Sequence, residues 1–120
     1  MQQFLIGMVY HEPEAWRLRT AGVLEDYESS TGIFIEADCK KEALAWGEQV
    51  AQELMRRVNH DPAIAWHEFG YFCWVEASPG TSPWSHCLTF FQCVAVGVHP
   101  DYDAMGTAAY ARWCELHGLP

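Results

Sequence analysis

Residues 38–58, DCKKEALAWGEQVAQELMRRV, decide how the rest of the chain is read. Ala43, Leu44, Gly47, Val50, Ala51, Leu54, Met55 and Val58 recur at the three-and-four spacing of an amphipathic helix. Lys41, Glu42, Ala45, Glu48, Gln49, Gln52, Glu53 and Arg56 fill the opposite side of the wheel. Asp38 suits the N-cap, where a carboxylate accepts from first-turn amides. Arg56 and Arg57 suit the last turn, where cations meet the negative end of the helix dipole. Asn59-His60-Asp61-Pro62 stops the helix. An apolar stripe this regular needs an apolar surface to lie on, and the flanking segments read as the strands that supply it.

Immediately upstream, residues 32–37 (GIFIEA) form a short strand entered through a turn at Ser29-Ser30-Thr31-Gly32. Residues 15–30 are less regular and fit either a short helix or a strand across Leu18 to Leu24, the strand being preferred. Residues 3–10 (QFLIGMVY) are apolar on both faces, which predicts a central strand covered on both sides. Pro13 ends it, because proline cannot donate to a ladder.

Downstream of the helix, residues 64–77 (IAWHEFGYFCWVEA) read as a long aromatic strand bent at Gly70. A Pro/Gly/Ser loop at 78–85 is the clearest break in the chain. Residues 87–98 read as a last strand, with Leu88, Phe90, Val94, Val96 and Val98 on one face and mostly small residues on the other. A C-terminal helix is expected from Tyr102 to Leu116, with Met105, Ala108, Ala109, Trp113 and Leu116 inward and Gly118 at its end. The expected fold is a single α+β domain over residues 1–120, an antiparallel sheet of about four to five strands with two helices packed on one face. Its β-β-α-β-β-α order resembles a ferredoxin-like sandwich in outline.

The totals agree with a single core. A chain of 120 residues, half of them apolar and 14% aromatic, is too rich for disorder and long enough to fold without staples. No apolar run reaches the roughly 20 residues of a membrane helix, and the start lacks the basic region of a signal peptide. Five cysteines at irregular spacing argue against a disulfide framework and for reduced thiols in a cytoplasm. The net charge of −9, from 16 acids and 7 bases, disfavours nucleic acid and anionic membrane and is compatible with a basic protein partner. Residues 1–38 hold seven of those acids and two of the bases, so the N-terminal third is the most acidic part.

Chemistry-bearing motifs are sparse. No CxxC, HxxxH, HExxH, phosphate loop or nucleophile elbow occurs, so no metal and no cofactor is expected. Cys87, Cys93 and His99 are each six residues apart, about 20 Å of strand, too far for one ion. Cys39 is the reactive-thiol candidate, beside Lys40 and Lys41 at a helix start, but it needs a base such as His67, His86 or His11. Cys73, Cys93 and Cys114 read as small core or boundary residues.

Six tryptophans are many for this length. Trp74 and Trp113 fit the core by periodicity, whereas Trp46 lies at the margin of the helix stripe and Trp84 in the 78–85 loop near His86. Trp46, Trp84 and His86 therefore mark a contact surface, with Glu25, Asp26 and Glu28 as the acids that would meet a basic partner. A loop tryptophan folded back over the core is the competing reading of Trp84. Small, acidic and aromatic-anchored, the chain is similar in physical type to bacterial toxin immunity proteins. The expected function is a non-catalytic module that neutralises a basic protein partner. The alternatives are a small enzyme or small-molecule-binding domain using a groove over the last strand, with Cys39, and a homodimer paired through the aromatics.

Overall fold

The architecture was analysed in a computed structural model, which describes residues 1–11, 28–58, 60 and 72–118. Strand β1 (Gln2–His11) pairs antiparallel with β2 (Glu28–Ala37) over its whole length. Helix α1 (Lys40–Val58) follows, then β3 (Cys73–Glu76), β4 (Cys93–Ala95) and helix α2 (Thr107–Leu116). The sheet order is β3-β1-β2-β4, so β1 is central, as its two apolar faces predicted. Among the described residues, no helix is long and apolar enough to cross a membrane.

Side chains alternate along a strand and paired positions share a face. The register Ile6↔Ile33 and Phe4↔Ile35 thus places Phe4, Ile6, Met8, Ile33, Ile35 and Ala37 on one side. Val75 of β3 and Val94 of β4 join them as partners of Ile6 and Ile35. Helix α1 lies on this side: a side chain at Gly47 would meet Ile6 and Ile35. Ala43, Gly47, Val50, Ala51, Leu54 and Met55 are buried, Leu44 and Val58 pack at the margin, and Glu42, Glu48 and Arg56 stay exposed. Each fully buried aliphatic side chain contributes roughly 1.5–3 kcal/mol, so this interface is a large hydrophobic contribution to stability. The helix begins one residue later than expected. The Cys39 carbonyl accepts from the Ala43 amide at 3.2 Å, which puts Cys39, not the exposed Asp38, in the capping position.

Further expectations are corrected. The sheet is mixed rather than antiparallel, because β4 adds parallel to β2 through pairs such as Ile35↔Val94. Residues 29–32 continue β2 instead of turning: every residue from Glu28 to Ala37 has a partner in β1, and ladder bonds outweigh local turn preference. Only three residues of the supposed 87–98 strand are extended. Leu88–Phe90 coil into a 3₁₀ turn, and a second turn at Ala95–Val98, with Gly97 at φ +89°, ends β4 and leaves Val96 and Val98 exposed.

The C-terminal helix is also shorter than expected. Tyr102–Ala104 form a separate 3₁₀ turn in which Asp101 Oδ1 accepts from the Asp103 amide at 3.1 Å, and extended Gly106 interrupts the chain before α2. Met105 and Ala109 are buried as expected, but Ala108 and Leu116 are exposed. Gly118, at φ +68°, follows the helix in the left-handed conformation that closes its end. The largest contact of α2 with another described element is that turn. The expected strand at 18–24, most of the 64–77 strand with its bend at Gly70, and the Asp61-Pro62 stop lie outside the described residues.

Candidate functional site: an aromatic cleft beside strand β2

The sheet face away from α1 is built around two glycines. Gly7 and Gly32 are direct partners across β1 and β2, so the backbone there is bare. Trp74, the β3 partner of Gly7, lays its indole over Gly7, and Trp84 reaches in from the 78–85 loop to lie over Gly32. The two indoles stack with centroids 5.7 Å apart. Trp84 is thus a loop residue folded back onto the sheet, held by Trp74 on one side and by the Phe91 ring edge, 5.1 Å away, on another. Its loop is tied by short local bonds: Ser82 Oγ donates to the Pro79 carbonyl at 2.8 Å and accepts from the Trp84 amide at 3.2 Å.

From Trp84 the rings continue outward. Phe91 meets Phe90 at 5.9 Å, and Phe90 meets Tyr110 and Trp113 of α2 at 5.3 and 5.8 Å. The 3₁₀ turn at Leu88–Phe90 makes this possible, because it turns Phe90 toward the helix instead of along a strand. Between these rings and the open part of β2 lies a cleft of about 410 Å³. Trp84, Phe90, Phe91 and Tyr110 wall it; buried Thr31, Cys87 and Met105 also line it, and Ser30, Pro83 and His86 are its exposed lining residues. The Thr31 hydroxyl donates to the Met105 carbonyl at 3.3 Å, tying β2 to the segment that precedes α2.

The polar chemistry gathers at Tyr110. Its hydroxyl lies 3.1 Å from His86 Nε2. Hydrogen bonding to Cys114, with burial and the neighbouring Cys87 adding to it, pushes the Tyr110 phenol up to about 12. Burial likewise raises the Cys87 thiol, with the Tyr110 hydroxyl working the other way. A thiol held away from its thiolate is a poor nucleophile. The cleft therefore offers aromatic surface and hydrogen-bonding groups, an arrangement suited to binding.

The positions singled out from sequence are distributed unevenly. Trp84 and His86 come together at the cleft. Trp46 sits on the opposite side of the sheet, where its Nε1 donates to the Val98 carbonyl at 3.0 Å and its ring meets His99 at 5.1 Å. It shares no surface with Trp84. Cys39 is exposed beyond Ala37, whereas His86 stands beside Thr31, about 20 Å back along β2, so His86 is no base for that thiol. Glu28 opens β2; Glu25, Asp26 and His67 lie outside the described residues, as does the side chain of His11.

Sequence reading missed Phe90, Phe91 and Tyr110 as wall residues, since alternation assigned the first two to a strand and the helix wheel left Tyr110 without a role. Tyr110 lies three residues before Trp113, a spacing that puts both on one helix face, and that was the available signal. Among the described residues, no group of three or more His, Cys, Asp or Glu side chains could hold a metal ion. Comparison of the chain with protein-family models, with curated proteins and with solved structures finds no match.

Proposed function

We infer that this chain is a non-catalytic binding module for a basic protein partner, and that the Trp84–Tyr110 cleft is where the partner is anchored. The observation that carries this reading is the presence of a preformed aromatic cleft on a chain of net charge −9. The two features serve different stages of recognition. A strong negative field speeds encounter with a basic surface, and affinity then comes from a few anchors in desolvated aromatic pockets. Trp84 already rests on Gly32 and Trp74, so little ordering cost falls on binding. Neutralisation of the partner, as immunity proteins do it, is the use that such a surface fits. The reading takes the whole chain as one β-β-α-β-β-α unit working in a reducing compartment, where five free thiols persist.

The test is binding to arrays of lysine- and arginine-rich peptides between about 0.05 and about 0.5 M salt, a range over which exposed charges become screened. Affinity should fall steeply with salt. It should also fall on joint reversal of Glu25, Asp26 and Glu28 to lysine, and separately for Trp84→Ala. Binding indifferent to salt and to all of these changes would sink the reading.

A further inference from the structure

We propose that the occupant of the cleft is a guanidinium group, so that the anchoring side chain of the partner is an arginine. The partner itself rests on the reading above, whereas the selectivity of the cleft rests on its own walls.

Four rings that touch in sequence, Trp84 to Phe91 at 5.1 Å, Phe91 to Phe90 at 5.9 Å and Phe90 to Tyr110 at 5.3 Å, each pair edge-to-face, form an aromatic wall. Such a surface attracts cations through the ring quadrupoles. The net charge of the chain has the same preference. An anion would find no lysine or arginine among the described residues lining the cleft.

The kind of cation follows from what else is missing from the lining. No aspartate or glutamate is among the described residues that line it. An ammonium is a compact, strongly hydrated point charge, and it would shed water here without gaining a counter-charge. A guanidinium is weakly hydrated on its two faces and stacks on aromatic rings while its edge keeps five N–H donors. Polar partners for those donors line the cleft, at Ser30 and at the His86–Tyr110 pair. A cleft of about 410 Å³ is at the small end of ligand sites and accepts one long side chain with its stem.

The experiment uses the full chain and two small probes, Nα-acetyl-arginine amide and Nα-acetyl-lysine amide, with indole as a neutral control. The readouts are the Trp84 indole N–H resonance and tryptophan fluorescence. The arginine probe should shift the Trp84 signal and bind about tenfold more tightly than the lysine probe. Tyr110→Ala should abolish that shift, and Trp84→Ala, which removes the reporter itself, should abolish the heat of arginine-probe binding in titration calorimetry. Tyr110→Phe keeps the ring and should retain arginine binding, and the distant Trp46 signal reports whether each variant is folded. Lysine binding as tight as arginine, tighter binding of indole, or no shift of Trp84 by the arginine probe would each overturn the proposal. Loss of probe binding while basic peptides still bind with salt dependence would remove the guanidinium site and leave the binding module standing. Probe binding without any peptide binding would do the reverse.

Discussion

Gly7 and Gly32 face each other across the central strand pair, and the tryptophans of two different segments occupy the space their side chains would take. The consequence is a sheet whose second face is covered, among the described residues, by stacked indoles rather than by a helix. One of those indoles is also the inner wall of the cleft.

Adding a methyl group at either glycine should therefore disturb the stack. At Gly32 a Cβ would come to 3.1 Å from Trp84 Cζ3, and at Gly7 it would fall inside the Trp74 ring contact. Gly7→Ala should cost about 1–3 kcal/mol and Gly32→Ala less, by the usual penalty of overpacking. Denaturant midpoints measure the cost, and near-UV circular dichroism should lose the coupled-indole signal. Two neutral substitutions would contradict the seating of the rings.

Gly47 poses the opposite balance. In an exposed helix interior, Gly→Ala gains about 0.5–1 kcal/mol. Here the new Cβ would stand 2.6 Å from Ile6 Cγ2. Overpacking should win, leaving Gly47→Ala about 1 kcal/mol less stable. In an Ile6→Ala background the effect should change sign, which a double-mutant cycle would show.

Alkaline pH should unfold the protein through two groups beneath α1. Burial, then the nearby Glu48 carboxylate, pushes the Cys73 thiol from its ordinary 9.0 to about 12. Burial and Glu53, opposed by Arg57 over the ring, push the Tyr102 phenol from 10.0 to about 12. Both values are raised in the folded state, so the unfolded chain loses these protons first. The stability they contribute is complete below about pH 9 and is lost as pH rises from about 9 to about 12. Urea denaturation at several alkaline pH values should show this decline. It should be shallower in Cys73→Ala and in Tyr102→Phe.

Thiol labelling gives an independent check of the packing. Cys39 and Cys93 are exposed, Cys73 is half-buried, and Cys87 and Cys114 are buried. A charged disulfide reagent should modify Cys39 and Cys93 rapidly in the native protein and the other three only as it unfolds. Fast labelling of Cys87 or Cys114 would contradict their place beneath the cleft and α2.

Trp46 ties the loop after β4 to α1. Trp46→Phe keeps an aromatic ring against His99 but removes the donor to the Val98 carbonyl. The expected cost is about 1 kcal/mol, the net worth of one such bond. Hydrogen exchange should accelerate locally around residues 96–99, while the cleft signals from Trp84 stay unchanged.

Local pattern carried the parts of the fold that one segment's periodicity can specify. The eight stripe positions of α1 face the sheet, and β1 is central with both faces covered, because each depends on which side of a single element is apolar. Patterning failed where two periods fitted the same residues. Cys87 to Phe91 alternate like a strand, yet Phe90 gains more by coiling toward Tyr110 and Trp113 than by extending an edge that pairs only at Cys93–Ala95. Serine and glycine at 29–32 read as a turn, but ten ladder partners in β1 hold them extended.

For the cleft, the sequence alone determined that Trp84 and His86 sit together in a loop, and that the chain around them is strongly acidic. Tertiary structure decided that Trp84 folds back onto Gly32, that Phe90, Phe91 and Tyr110 complete a wall with it, and that Trp46 belongs to the other side of the sheet. The reason is distance along the chain. Composition and periodicity report on a residue and its near neighbours, whereas this wall joins residues 84, 90, 91 and 110 against residues 30–32, a meeting that only the packed chain brings about.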